Sequence, residues 1–231
     1  MERTKPYQPL VVELIRQQAP QTLLDAPSGS GWLPEALGEG YSVDGLDLYG
    51  ADPARYRRFA GQDLNAGIPD GFGAYDCIVS CEGIEHLFSP ATFLQSAREH
   101  LHPGGMLIVT TPNVWYPGAR LQYLLRGFFP SFPNLVGRIR PGSHMHISPW
   151  SFPQLYLILS LLGFKNIRLH PRAESAPKHL YERLLGFPQQ LYCRLKRQRA
   201  VTAEEQLFWQ MAGSAASVYA RGLVVSAVKQ G

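Results

Sequence analysis

The run LLDAPSGSGWL, residues 23–33, constrains this chain more than any other stretch. It reads as a short apolar strand that stops on Asp25 and turns through small residues into the start of a helix. Gly29 and Gly31 let the backbone turn pass close to a ligand where a Cβ would clash. The helix start that follows offers N–H groups with no partner inside the helix. A glycine-rich turn after a first strand places a nucleotide or cofactor at the carboxyl edge of an α/β sheet. Taken alone, the segment also reads as a tight structural turn.

The stretches that follow repeat the theme. YSVDGLDL is a second short strand ending at Asp47, YDCIVSC another and GGMLIVTTPN another. Between the last two, PATFLQSAREHLHPGG reads as a helix whose apolar positions Phe93, Leu94, Ala97 and Leu101 recur near 3.6 residues, with Gly104–Gly105 as its stop. VVELIRQQ reads as a helix laid over the sheet. Later, SPWSFPQLYLILSLLGF reads as a helix ending at Gly163 and FKNIRLH as a strand. YERLLGFPQQLYCRLKRQR and AEEQLFWQMAGSAASVYA read as two amphipathic helices, and GLVVSAVKQ as a closing strand. Strands alternating with helices argue for a parallel sheet covered on both faces.

The acids at the strand ends carry the chemistry. Asp47 lies 22 residues after Asp25, where a carboxylate is placed to accept hydrogen bonds from both hydroxyls of a ribose. Asp63, in GQDLNAGIP, falls at the expected end of a third strand, within reach of an adenine amino group. Each acid alone also reads as a turn or cap residue; three in succession beside a glycine turn do not. A dinucleotide oxidoreductase would need a third glycine where Pro34 stands, so an NAD-dependent dehydrogenase fits poorly.

Together LLDAPSGSGW, VDGLDL, GQDLNAGIP, YDCIVSCEGIEHL and LHPGGMLIVTTPN resemble the class I S-adenosylmethionine-dependent methyltransferases, in the branch that holds the ubiquinone- and menaquinone-type enzymes. The resemblance covers residues 20–113 well, 149–170 moderately and the two basic inserts hardly at all. It implies a Rossmann-like, doubly wound, seven-stranded, mostly parallel sheet. The chain then reads as one methyltransferase domain over 1–231, with the insertions 114–150 and 171–221, which the resemblance does not cover, expected to form an acceptor-side lid. The family's usual first glycine is replaced by Pro27, which fixes φ and removes a donor.

Carried over by position, the resemblance gives Asp25, Ala26, Pro27, Gly29 and Gly31 the methionine end of S-adenosylmethionine. Asp47 takes the ribose, Leu48 packs on adenine, Asp63 meets the adenine amino group with Leu64 beside it, and the Cys81 backbone and His86 complete the site. The implied reaction is in-line displacement of a methyl group, leaving S-adenosylhomocysteine, with catalysis by orientation and by a base where the acceptor is a hydroxyl.

Base candidates are His86, just past YDCIVSC, and His144 and His146 in GSHMHIS, which alternate onto one side of an extended segment. A purely structural role for each stands beside the catalytic one. Metal ligation by the pair with Glu82 or Glu85 is the weaker option, and no metal is expected.

Charge divides the chain. Residues 1–113 hold 7 Lys/Arg against 14 Asp/Glu, and residues 114–231 hold 15 against 4, so the net +4 conceals −7 and +11. Residues 114–150 lack any acid and mix Trp115, Tyr116, Tyr123, Phe128, Phe129 and Phe132 with Arg120, Arg126, Arg138 and Arg140. That suits an acceptor with apolar and anionic parts, small, lipid-linked or glycan, methylated at oxygen. Residues 172–199 carry seven Lys/Arg, two Glu and an apolar face of Tyr181, Leu184, Leu185, Phe187 and Leu191. Such a stretch either touches a membrane surface or packs on its own core with a wet basic back. No RNA-binding module is recognisable, so a nucleic-acid partner is not expected.

With 45% hydrophobic and 17% charged residues the chain can build a core. Its longest apolar run, Leu155–Phe164, is too short to span a bilayer, which takes about 18 residues. The three cysteines make no disulfide or zinc pattern, and MERTKPYQPL has no apolar signal core. A cytoplasmic protein is the expectation. A catalytically silent protein that binds S-adenosylmethionine in a regulatory role is the alternative to an enzyme.

Overall fold

The computed structural model describes residues 4–50, 53–130, 145–172 and 175–231. The first part runs α1 (Gln8–Gln18), β1 (Leu23–Asp25), α2 (Trp32–Leu37), β2 (Val43–Asp47), β3 (Arg58–Gly61), β4 (Tyr75–Cys81), α3 (Pro90–Glu99) and β5 (Leu101–Pro112). The second runs α4 (Pro117–Arg126), α5 (Phe152–Leu161), β6 (Phe164–Leu169), α6 (Leu180–Arg199), α7 (Ala203–Ala212), α8 (Ala215–Val218) and β7 (Gly222–Lys229). The strands form one seven-stranded sheet in the order β3-β2-β1-β4-β5-β7-β6. β1 to β5 pair in parallel, and β7 lies antiparallel between β5 and β6.

Strand periodicity sorts the core into two layers. Leu23, Val43, Cys77, Val79, Met106, Ile108 and Val224 point to one face, under Val11, Val12, Leu14 and Ile15 of α1 and Leu33 and Leu37 of α2. Leu24, Leu46, Ile78, Leu107, Val109 and Val225 point to the other, under α3, α5 and α7. Each fully buried aliphatic side chain contributes roughly 1.5–3 kcal/mol, so the centre of this sheet is the rigid base of the site. The chain reverses its winding between β1 and β4, which leaves a crevice at the carboxyl ends of those two strands. Cys77 is a fully buried small hydrophobe, and all three cysteines are free.

Three sequence expectations change. α3 ends at Glu99, and Gly104–Gly105 lie inside β5, with Leu101 as its first residue. The glycines bend the strand there: Gly104 has φ +81°, and a Cβ on Gly105 would meet the Tyr75 and His102 carbonyl oxygens at 3.0 and 2.9 Å. AEEQLFWQMAGSAASVYA is two helices, because Ser214 caps α8 by accepting from Ser217 N–H. β3 stops at Gly61, so Asp63 lies beyond the strand and caps the short turn Leu64–Ala66. The helix after the glycine turn, α2, is only six residues long.

Candidate active site

β1 delivers Asp25 to the crevice fully buried. Its Oδ2 accepts a 2.8 Å hydrogen bond from the Tyr56 hydroxyl, and its Oδ1 has no protein partner. Burial pushes the carboxyl up to about 8; the Tyr56 hydroxyl opposes that rise and the Asp47 charge adds to it. The turn that follows is pinned by Ala26 N–H to the Val79 carbonyl and Ser28 N–H to the Leu46 carbonyl, each 2.9 Å. Gly29 and Gly31 have φ of +54° and +74°, the left-handed region that L side chains rarely enter. A Cβ on Gly29 would meet nothing within 4 Å, so conformation, not crowding by protein, requires glycine there and leaves its surroundings open.

Asp47 ends β2 beside this turn. Its Oδ2 accepts from Gly29 N–H at 2.8 Å, and its Oδ1 accepts from Tyr49 and Gly50 N–H at 2.9 and 3.2 Å. The carboxylate therefore fixes both walls of the crevice. Leu48 and Tyr49 stand 51% and 66% exposed on the rim, apolar surface with no protein cover. Asp63 is exposed and accepts from the N–H and side-chain amide of Asn65, while Leu64 is buried in the core. Asn65 in turn accepts from Phe88 and Ser89 N–H, tying the loops after β3 and β4 together.

Beyond β4 the chain folds over the crevice. Cys81 is buried, which holds its thiol protonated. Glu82 takes a left-handed backbone, φ +51°, held by its N–H to the Thr110 carbonyl at 2.9 Å. Gly83 packs on the Pro27 ring so closely that a Cβ there would overlap Cγ and Cδ. Glu85 is 2% exposed; its Oε2 accepts from the Thr111 hydroxyl at 2.9 Å. Burial, then the Glu82 charge, push the Glu85 carboxyl up to about 8. His86 Nδ1 lies 2.8 Å from the Met145 carbonyl, which can only accept, so this nitrogen carries the proton. The other nitrogen, Nε2, is then the basic one and lies 3.9 Å from Glu85 Oε1.

His146 completes the group, its ring edge-on to His86 at 4.9 Å between centroids. Ligand atoms of Glu85, His86 and His146 all fall within 4.8 Å of one another. Beside them a cavity of about 190 Å³ is lined by Glu85, Val114, Phe129, His146, Ile147 and Pro149. Of the histidines expected here, the structure brings His86 and His146 together; His144 lies outside the described residues, as do Phe132, Arg138 and Arg140. Sequence reasoning missed Tyr56, Thr111 and Gly83, whose partners lie 31, 26 and 56 residues away. No local signal announces such contacts.

A methyltransferase domain family model matches residues 2–169, and the chain belongs to that family. A ubiquinone biosynthesis O-methyltransferase from Paramagnetospirillum magneticum is 35% identical over 101 residues, covering 40% of this chain and 41% of that protein. The chain thus spans less than half the length of this curated relative. A SAM-dependent methyltransferase of Archaeoglobus fulgidus superposes with a TM-score of 0.53 at 14% identity, covering 96% and 94% of the two chains. The 1,6-didemethyltoxoflavin N1-methyltransferase of Burkholderia thailandensis, solved with S-adenosylhomocysteine, gives 0.52 at 14% identity, covering 97% and 78%. Family and fold are those of the class I S-adenosylmethionine-dependent methyltransferases.

Proposed function

We propose that this protein moves a methyl group from S-adenosylmethionine to an oxygen of a small, lipid-linked or glycan acceptor that carries negative charge. One observation carries the reading: the loop that carries Glu85 and His86 packs directly on the glycine turn, Gly83 against the Pro27 ring, and the Glu85–His86–His146 group opens on its own cavity. The residues present fit the cofactor. The open space at Gly29, the unpartnered Asp25 Oδ1 and the uncovered Leu48–Tyr49 rim are what a bound nucleoside and amino acid would occupy. Bound S-adenosylmethionine supplies an electrophilic sulfonium methyl.

The chain's own part is positioning and proton removal. Asp25, Ala26, Pro27, Gly29 and Gly31 hold the methionine end. Asp47 holds the ribose, Leu48, Asp63 and Leu64 the adenine side, and the Cys81 backbone closes the floor. His86 Nε2 takes the proton of the acceptor hydroxyl, with its tautomer set by Met145. His146 orients the acceptor. Segments 114–150 and 171–221 form a lid over the cavity, their basic residues selecting the anion. Homology to ubiquinone O-methyltransferases supports transfer to oxygen.

S-adenosylhomocysteine should raise the melting temperature of the protein. Against a panel of phenolic, sugar and lipid-linked acceptors, His86→Gln should lower kcat by about a hundredfold or more, as expected for loss of a general base, with cofactor affinity within about twofold. A folded protein that binds S-adenosylhomocysteine yet methylates no acceptor would overturn the enzymatic reading.

A further inference from the structure

The longest helix of the described residues turns its apolar side outward. Leu180, Leu184, Phe187, Leu191 and Leu195 of α6 follow one another at helical spacing and form a single stripe. They are 72%, 67%, 60%, 42% and 46% exposed. The opposite side of the helix is the packed one: Glu182, Gly186 and Cys193 are buried there, Glu182 paired with Arg221 at 2.5 Å. The packed side also carries Cys193 into the core and sets Tyr192 against Trp209 of α7, yet the five large apolar residues of the stripe face water, which an ordinary surface helix would turn inward. α4 packs beside it, bridged by the Arg120 guanidinium to the Leu185 carbonyl at 3.0 Å, and adds Leu124 and Leu125, both more than 70% exposed. The sequence alternative of an α6 whose apolar face packs on its own core does not hold.

We propose that α6, with α4 beside it, docks on the surface of an anionic lipid bilayer. The charges beside the stripe select this occupant. Arg183 and Arg194 fall along one edge of the leucine stripe and Arg199 along the other, all exposed. An in-plane helix needs this arrangement, apolar side chains in the acyl boundary and basic ones at headgroup level. A second copy of the chain would bring these same cations against themselves across a two-fold axis, so self-association is disfavoured. No helix among the described residues is long and apolar enough to cross a membrane, so the contact lies in the interface. The surface lies on the two segments proposed as the acceptor-side lid but outside the cofactor crevice, so its test reads vesicle binding and cofactor affinity, not acceptor turnover.

The test uses flotation of the full chain with two kinds of vesicle, phosphatidylcholine alone and phosphatidylcholine containing phosphatidylglycerol. The wild type should float with the anionic vesicles and release at high salt. Leu184→Glu with Leu191→Glu should weaken that association roughly tenfold or more, since it buries two charges at the acyl boundary. Arg183→Gln with Arg194→Gln should weaken it less and reduce its salt dependence. Both variants change exposed side chains, so melting temperature and S-adenosylhomocysteine affinity should match the wild type. Absence of the folded wild type from anionic vesicles overturns the proposal. So does light scattering that shows a stable dimer dissolved by the paired Leu→Glu change, which would assign the surface to a second copy.

Discussion

The crevice between Asp25 and His86 and the region beyond Val114 are built by opposite rules. In the crevice, polar side chains turn inward and are spent on fixed protein groups: Asp47 on three backbone N–H groups, Glu85 on the Thr111 hydroxyl, His86 on the Met145 carbonyl. In the second region, leucines turn outward while Glu182, paired with a half-buried Arg221, and the buried Gly186 and Cys193 hold α6 from behind. A site for a fixed ligand needs a rigid, pre-paired backbone, whereas a surface meant to meet a deformable partner needs uncovered side chains.

The largest test of the crevice is Gly83→Val. Its side chain would enter the space of the Pro27 ring and push the glycine turn away from Asp47. Calorimetry should show S-adenosylhomocysteine affinity reduced about a hundredfold or more, while the exposed α6 surface, if independent, keeps its vesicle binding unchanged. Circular dichroism identifies a variant that has simply unfolded; if Gly83→Val is folded and binds normally, the turn and the loop after β4 are not coupled.

A smaller effect separates two acids three residues apart. Asp47→Ala removes a charged acceptor at the ribose position and should weaken the cofactor by about 1.5–3 kcal/mol, roughly ten- to a hundredfold. Asp44 is buried and serves the scaffold, bonded to Arg57 at 2.8 and 2.6 Å and to the Tyr75 hydroxyl at 2.7 Å. Asp44→Ala should therefore lower the melting temperature, by about 1–3 kcal/mol of stability, and leave affinity within about threefold. Equal affinities for the two variants would place the ribose site elsewhere.

What was legible in the sequence follows the same division. Gly29, Gly31 and Asp47 were readable because their roles are local: a positive φ, a strand end, an N–H two residues away. So was the two-faced sheet, since strands alternating with helices along the chain imply it. The Tyr56–Asp25 bond, the Gly83–Pro27 contact and the His86–His146 pair arise only when the topology closes, and no spacing rule gives them. The direction of α6 was not legible either. Its periodicity marks an apolar face, but whether that face meets the core depends on what Glu182 and Gly186 pack against.

The finest distinction is one of sign. Two carboxyls of the crevice, Asp25 and Glu85, are each pushed by burial to about 8, above their ordinary values of 3.8 and 4.5. The folded chain thus keeps protons that the unfolded chain sheds as pH rises from the ordinary carboxyl range to about 8. Unfolded binds fewer protons than folded in that window, so stability falls with rising pH and levels off above it. His170 acts the other way at lower pH. Burial lowers its pKa, so the unfolded chain binds the extra proton below the ordinary histidine value of 6.5 and stability rises with pH there. The clean window is therefore from about 6.5 to 8. Melting temperature of the ligand-free protein should decline across it. Glu85→Gln retains an acceptor for Thr111 but cannot ionise, and should make the decline shallower; Asp25→Asn should do the same at the other end of the crevice. A substitution on the far surface, Leu184→Gln, should leave the slope untouched. A flat profile in the wild type would mean that both carboxyls ionise at ordinary values and that the crevice is wetter than its burial implies.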